Sequence, residues 1–150
     1  MSRRQAREIA MQALFQLDMN PPNDETADEA MQNALSAAME IHSSKKKNIA
    51  EGKDGWDENP TYEYANSILK GTITHRNEID DEIASVSKEW RLDRMAGIDR
   101  AILRLAVCEM RYSEDVTPGI VINEAVELAK KFGTDKSGRF VNGVLASLVK

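Results

Sequence analysis

The apolar positions of this chain repeat with the period of an α-helix. In residues 3–19, and again in residues 27–41, apolar side chains recur three and four positions apart. This spacing puts them on one face of a helix, where they can pack into a core. The side chains predicted to point inward are Ala6, Ile9, Ala10, Ala13 and Leu17 in the first helix, and Met31, Ala34, Leu35, Ala38 and Met39 in the second.

The middle of the chain first breaks this pattern and then resumes it. Residues 43–60 contain a run of lysines and two glycines, which predicts a loop. The lysine run is typical of a solvated surface loop, an interpretation we favour over a nucleic-acid contact. A third helix is predicted from Pro60 with Asn59 as its cap, and a fourth from about Asn77 toward Trp90.

Three further helices are predicted in the last third of the chain. The stretch from Gly97 to Tyr112 is apolar nearly all round, as in a central, buried helix. Thr117 and Pro118 open the next helix, and Gly133 stops it. The last helix begins at about Ser137.

Two local features predict finer detail of these helices. Thr26 with Glu29 forms the pattern of a capping box at the start of the second helix. Gly138 and Gly143 lie inside the last helix at a cost in helix propensity, which indicates a close backbone approach at both positions.

Together these patterns predict an all-α fold, a compact bundle of about seven helices in a single domain over residues 1–150. No segment alternates apolar and polar residues as a strand does, so no sheet is expected. A length of 150 residues with 41% hydrophobic residues suits one domain with a sizeable core. Its single cysteine, Cys108, cannot form an internal disulfide, which favours a reducing compartment. Without a secretory signal pattern or an apolar run long enough to cross a membrane, the expected location is the cytoplasm.

Candidate residues for catalysis are few. His42 and His75 have no metal-ligand spacing with Cys108, which is better explained as a buried structural thiol. There is no phosphate-cradling glycine loop, and no spacing singles out a pair of carboxylates. We therefore expect no enzyme activity, no cofactor and no metal.

The net charge of −5 argues against nucleic acid, but the charge is distributed unevenly. The two ends of the chain are basic and the middle is acidic. Arg3, Arg4 and Arg7 crowd the predicted start of the first helix, where the helix dipole disfavours cations. Their forked guanidinium groups suit phosphates and base edges. A solvated, fraying terminus with Arg7 paired to an acid explains them equally well, and the residues alone leave both alternatives open.

A second candidate segment lies between the last two predicted helices, at residues 132–140. Free N–H groups at the start of a helix can hold a phosphate, and Lys136 and Arg139 add positive charge there. Taken alone, the segment is better explained as an ordinary helix junction.

These segments resemble the NusB family of bacterial transcription antitermination factors. The similarity begins with Ser2-Arg3-Arg4-Gln5-Ala6-Arg7-Glu8 and Ala13-Leu14-Phe15-Gln16, and continues in Ile98-Asp99-Arg100-Ala101-Ile102-Leu103-Arg104-Leu105-Ala106. Its longest block is Ile122-Asn123-Glu124-Ala125-Val126-Glu127-Leu128-Ala129-Lys130-Lys131-Phe132-Gly133, followed by Phe140-Val141-Asn142-Gly143-Val144-Leu145. The motifs occur in the family's order and cover nearly the whole chain.

The resemblance implies a NusB-like RNA-binding domain of two packed helical bundles. It implies binding to the single-stranded boxA element of nascent ribosomal RNA, together with the ribosomal small-subunit protein NusE, in an RNA polymerase antitermination complex. The RNA-binding residues that it implies are Arg3, Arg4, Arg7, Asp135, Lys136, Ser137, Arg139 and Phe140. The partner-binding residues that it implies are Asp99 and Asp93.

This sequence departs from the family at two places. Many members carry a second acid where this chain has Lys136, which puts a carboxylate role at that position in doubt. Residues 43–60 form a longer and more polar connection than expected, and no family function transfers to them. Two other functions stay open: the RNA-targeting domain of a methyltransferase, and a helical adaptor that binds protein only.

Overall fold

Seven α-helices make up most of the chain that a computed structural model describes, namely residues 3–44, 60–87, 91–113 and 115–149. No strand occurs within those ranges, which agrees with the predicted all-α fold. The helices are α1 (Arg3–Met19), α2 (Ala27–Ser44), α3 (Pro60–Thr74), α4 (Arg76–Val86), α5 (Gly97–Tyr112), α6 (Pro118–Phe132) and α7 (Ser137–Leu148). Short 3₁₀ turns at Asp24–Thr26 and Leu92–Arg94 precede α2 and α5.

The structure confirms one predicted helix cap and corrects another. Thr117 caps α6 as predicted, since its side chain accepts a hydrogen bond from the backbone N–H of Ile120 at 3.4 Å. The predicted capping box at Thr26 is wrong. Asn23 is the cap instead, and its Oδ1 accepts from both the backbone N–H and the hydroxyl of Thr26, at 3.0 and 2.9 Å. A 3₁₀ turn therefore carries the chain into α2.

The chain divides into two compact units, Met1–Leu69 and Lys70–Lys150, with the boundary inside α3. In the first unit, α1 packs on α2. All predicted inward residues of α1 and α2 are buried except Leu17, which is half-buried. Tyr62 of α3 donates a hydrogen bond to Gln32 of α2 at 2.8 Å, which ties these two helices together at their polar edges.

In the second unit, α5 contacts α4, α6 and α7, and every residue from Ala101 to Glu109 is buried. The prediction of a central, buried helix is therefore confirmed. Cys108 is a buried free thiol, and burial raises its pKa, which keeps it protonated and unreactive at neutral pH.

A charged pair is buried within this apolar packing. The guanidinium group of Arg104 on α5 donates from Nε to Oδ1 of Asp80 at 2.8 Å and from its terminal nitrogen to Oδ2 at 3.1 Å. The side chain of Arg104 is only 6% exposed, and that of Asp80 is 24% exposed. This two-pronged geometry compensates the cost of placing a cation inside the fold.

The two glycines of α7 behave differently. A Cβ atom at Gly138 would lie 3.2 Å from Cγ of Lys130, so α6 and α7 do approach closely there. At Gly143 nothing lies within 4 Å, and the predicted close approach at that position is wrong.

Two predictions fall outside the described residues: the Asn59 cap and the lysine run in 43–60. The prediction that the fourth helix runs on toward Trp90 is wrong, because α4 ends at Val86 and is capped by Ser87, whose backbone N–H donates to the carbonyl oxygen of Ile83. None of the described helices is both long enough and apolar enough to cross a membrane.

Candidate nucleic-acid interface

A cavity of about 620 Å³ opens in the second unit between two segments far apart in sequence. One segment runs from the turn before α5 into its first turn, and the other is the α6–α7 junction. The residues that line the cavity are Arg94, Met95, Ala96, Asp99, Thr134, Asp135, Lys136, Ser137, Arg139 and Phe140. All five predicted RNA-contacting residues of the junction therefore share a surface with Asp99, a predicted partner contact.

Short hydrogen bonds shape the α6–α7 junction. The helix α6 ends at Gly133, as predicted, and the next backbone N–H, of Thr134, donates to Oγ of Ser137 at 2.9 Å. Oγ1 of Thr134 in turn accepts from the backbone N–H of Lys136 at 3.3 Å. Because Ser137 is buried and fixed in this way, the start of α7 is held against the cavity.

Charged side chains surround the opening of the cavity. Arg94, Lys136 and Arg139 are exposed cations, and Asp135 is an exposed acid among them. Lys136 occupies the N-cap position of α7, and its side chain makes no capping hydrogen bond. Phe140 is half-buried and lines the cavity rather than the core. This combination of cations, an aromatic face and a helix start suits a phosphate next to an aromatic base.

Among the charged residues that line the cavity, Asp99 is the buried one. It lies in the first turn of α5, is 9% exposed, and has an Oδ1 atom without a hydrogen-bond partner in the described part of the chain. It is therefore a cavity residue rather than an open surface acid. Its predicted companion Asp93 lies in the Leu92–Arg94 turn, and its side chain is outside the described residues.

The three N-terminal arginines occupy different environments in the first unit. Arg4 is exposed, and Arg3 is half-buried with its guanidinium carbon 4.4 Å from the ring centroid of Tyr64. That geometry is a cation–π contact, in which the charge of Arg3 lies over the aromatic ring. Arg7 is only 7% exposed. The three arginines therefore differ in exposure although they are close in sequence. Arg3 and Arg4 are accessible to solvent, and Arg7 is not.

Sequence reasoning did not single out Arg94, Met95 or Ala96 as parts of this site. They reach it because the turn before α5 lies beside the α6–α7 junction, a contact between segments about 40 residues apart in the chain. Among these residues, only Arg94 carried a signal in the sequence, since it is a cation close to the predicted partner acids.

The junction requires a glycine at position 133, which gives a first testable prediction. A Cβ there would lie 2.6 Å from Cβ of Ser137 and 2.8 Å from the carbonyl oxygen of Ala129. Gly133→Ala should therefore lower the free energy of unfolding by about 1–3 kcal/mol through overpacking. Gly143→Ala, in open space on the same helix pair, should raise it by about 0.5–1 kcal/mol because alanine favours the helix. Urea denaturation of both variants measures the two free energies of unfolding. A change of the same sign in both variants would contradict the explanation that Gly133 is crowded and Gly143 is not.

Comparison with known proteins finds similarity along nearly the whole chain. The family model described as NusB family matches residues 4–150. The chain is 40% identical over 148 residues to the transcription antitermination protein NusB of Bacillus subtilis (strain 168), covering 99% of this chain and 95% of that protein. It is 43% identical over 144 residues to the protein of the same name from Myxococcus xanthus (strain DK1622), covering 96% of this chain and 91% of that one.

Solved structures give the same picture. The structure of T. maritima NusB superposes with a TM-score of 0.78 at 30% sequence identity, covering 99% of this chain and 90% of that chain. A chain from a crystal structure of antitermination factors NusB and NusE in complex with dsRNA gives a TM-score of 0.74 at 29% identity, covering 97% and 94%. Both similarities extend over the two compact units described above.

Proposed function

The chain belongs to the NusB family, and we propose on this basis that it is a transcription antitermination factor that binds the boxA element of nascent ribosomal RNA together with NusE, within an RNA polymerase antitermination complex. The observation that carries the proposal is the similarity, over 99% of this chain, to a relative named as a transcription antitermination protein. A role without catalysis follows from the family. The cytoplasm, where nascent transcripts are made in bacteria, is the proposed location.

The α6–α7 junction is the proposed main RNA surface. Its cations Lys136 and Arg139 attract the phosphate backbone, and the start of α7 points further N–H groups toward an anion. Phe140 offers an aromatic face to an unstacked base. Asp135 and Ser137 supply acceptors and a hydroxyl close to the same position. The departure at Lys136 favours this role, since a cation replaces an acid beside the phosphates.

The N-terminal arginines are a second proposed RNA contact. Arg4 is exposed, and the guanidinium carbon of Arg3 lies over the ring of Tyr64, which leaves forked N–H groups at the start of α1 that suit a phosphate. Arg7 is buried, and its proposed contribution is to hold the start of α1 in place rather than to touch RNA directly. We propose that residues 1–150 form one RNA-binding domain.

The proposed RNA is single-stranded. Unpaired bases offer edges and faces that a duplex hides, and the cavity beside Phe140 is concave enough to receive such a base. The similar solved complex of NusB and NusE is described as containing dsRNA. Comparing a single-stranded boxA RNA with the same RNA annealed to its complement therefore tests this part of the proposal, and tighter binding to the duplex would contradict it.

NusE is the proposed protein partner. Residues 18–42 carry six acids and no lysine or arginine, which would steer a basic ribosomal protein toward this part of the chain. The assignment of Asp93 and Asp99 to that partner derives from the family resemblance and stays a prediction.

Replacing the accessible arginines should separate this proposal from a protein-only adaptor. The double variant Arg3→Ala/Arg4→Ala should weaken boxA binding by about tenfold or more, because each lost guanidinium removes a charge-assisted contact. Its melting temperature should fall by only a few degrees, since Arg4 is exposed and half-buried Arg3 loses one cation–π contact worth about 0.5–1 kcal/mol. Arg7→Ala should lower the melting temperature, because a buried side chain is lost.

Fluorescence anisotropy with labelled RNA and thermal melts give both readouts. Unchanged RNA affinity in the double variant would support the adaptor function. The alternative of a methyltransferase targeting domain has less support, because the similar antitermination proteins match this chain over 95% and 91% of their own lengths.

A further inference from the structure

Asp99 is the buried, charged residue of the cavity, and its environment needs an explanation. Its side chain lies at the cavity, and within the described ranges its Oδ1 atom accepts no hydrogen bond. A buried carboxylate oxygen without a donor is costly, and a bound group that carries an N–H or O–H donor would remove that cost.

The surroundings of Asp99 decide between a protein cation and a nucleic-acid base as that donor. Arg94, Lys136 and Arg139 line the same cavity, and Asp135 is the other acid there. Three cations against two acids disfavour the entry of a lysine or arginine from a partner, and favour a ligand with phosphates. Phe140 adds an aromatic wall, which suits a planar base.

From this geometry we propose that the cavity takes one unpaired RNA base, and that Asp99 determines its identity by selecting guanine. The inference rests on the proposed RNA-binding function and deepens it. Guanine presents two adjacent donors on its pairing edge, the ring N1–H and the amino N2–H, which match the two oxygens of a carboxylate. Adenine and cytosine place an acceptor beside their amino group, and uracil has one N–H between two carbonyls.

The rest of the cavity positions the nucleotide around that contact. The base enters between Phe140 and the first turn of α5, while its phosphate lies at the start of α7 near Lys136 and Arg139. A volume of about 620 Å³ falls within the range of small-ligand pockets and leaves room for the ribose. Phosphate contacts fix the register of the strand, and the Asp99 contact reads its sequence.

The test measures base preference rather than affinity alone. A pool of short single-stranded RNAs with randomised sequence is bound to the full-length protein, and the bound fraction is sequenced. The unchanged protein should enrich guanine at one position by about tenfold or more. Asp99→Asn should reduce that enrichment to less than about threefold, because its amide N–H₂ opposes the guanine donors. Asp81→Asn, the same change at an exposed site on α4, should keep the full preference.

A second experiment changes the RNA instead of the protein. It tests guanine selection even if Asp99→Asn fails to fold. Replacing the selected guanosine by inosine removes the N2 amino group. This should weaken binding to the unchanged protein by about tenfold and have little effect on Asp99→Asn. Equal affinity for guanosine and inosine in the unchanged protein would overturn the proposal.

The other outcomes distinguish this proposal from the proposed function. Guanine preference retained in Asp99→Asn, with a loss of NusE affinity, would make Asp99 a protein contact and overturn base reading. RNA binding by the unchanged protein without any preference for guanine would overturn only this inference. Failure of the unchanged protein to bind any RNA would overturn the proposed function and this inference with it.

Discussion

Asp80→Ala should lower the free energy of unfolding by about 3 kcal/mol, a large effect for the removal of one charge. The change leaves the buried guanidinium group of Arg104 without the carboxylate that accepts its two hydrogen bonds. An uncompensated buried cation is strongly destabilising, whereas the intact pair contributes little net stability. Because Asp80 is 24% exposed, water can partly replace it, which places the effect at the lower end of the range for buried pairs.

The neighbouring residue provides a matched control. Asp81 has the same side chain on the same helix but is exposed, so Asp81→Ala should change stability by less than about 0.5 kcal/mol. Chemical denaturation of both variants, with one fitted slope, measures the difference. Equal midpoints would show that the Arg104–Asp80 pair is solvated in solution and is not part of the core of the second unit.

Salt should weaken RNA binding steeply, and this is the largest effect expected on function. If Arg3, Arg4, Lys136 and Arg139 each neutralise one phosphate of a single strand, the slope of log affinity against log salt is about −3. A fourfold rise in salt then lowers the affinity by roughly fiftyfold. Lys136→Ala should make the slope shallower by about 0.7, since one counterion release is lost.

Lys70→Ala is the control for this measurement, because Lys70 is an exposed lysine that does not line the cavity. Its slope should equal that of the unchanged protein. Replacing Lys136 should also leave the start of α7 intact, since its side chain makes no cap. The same slope for Lys136→Ala and the unchanged protein would move the phosphate contacts elsewhere, with the lysine run at residues 45–47 as the next candidate.

The helices were predictable wherever one local signal dominated. Thr117 and Pro118 define the start of α6 because a capping side chain and a fixed proline φ act within one turn. The bounds of α5, Gly97–Tyr112, agree with the apolar stretch in the sequence. The capping box predicted at Thr26 was wrong because Asn23 accepts from the backbone N–H of Thr26, which the capping box would also use. Only the path of the chain decides between the two acceptors. The close approach predicted at Gly143 was wrong because a glycine in a helix is consistent with close packing but does not require it.

The candidate site was predictable in its parts but not in its assembly. The sequence indicated Lys136 and Arg139 through their position at a helix start, and the family resemblance indicated Phe140 and Asp99. That these groups line one cavity depends on packing between α5 and the α6–α7 junction, which no local pattern encodes. The burial of Arg7 was hidden for the same reason, since Arg3, Arg4 and Arg7 look alike in sequence but face different neighbours.

The central claim is that this protein binds RNA jointly with NusE, and calorimetry tests it most directly. Single-stranded boxA RNA is titrated into the protein alone and into the protein saturated with NusE, beside an RNA of the same composition in scrambled order. We expect binding of boxA RNA in both titrations, tighter with NusE by about five- to 150-fold, the usual range of coupling between two sites. The scrambled RNA should bind more weakly in both. The account is contradicted if boxA RNA gives no binding heat in either titration and no shift of a labelled RNA in a parallel anisotropy measurement.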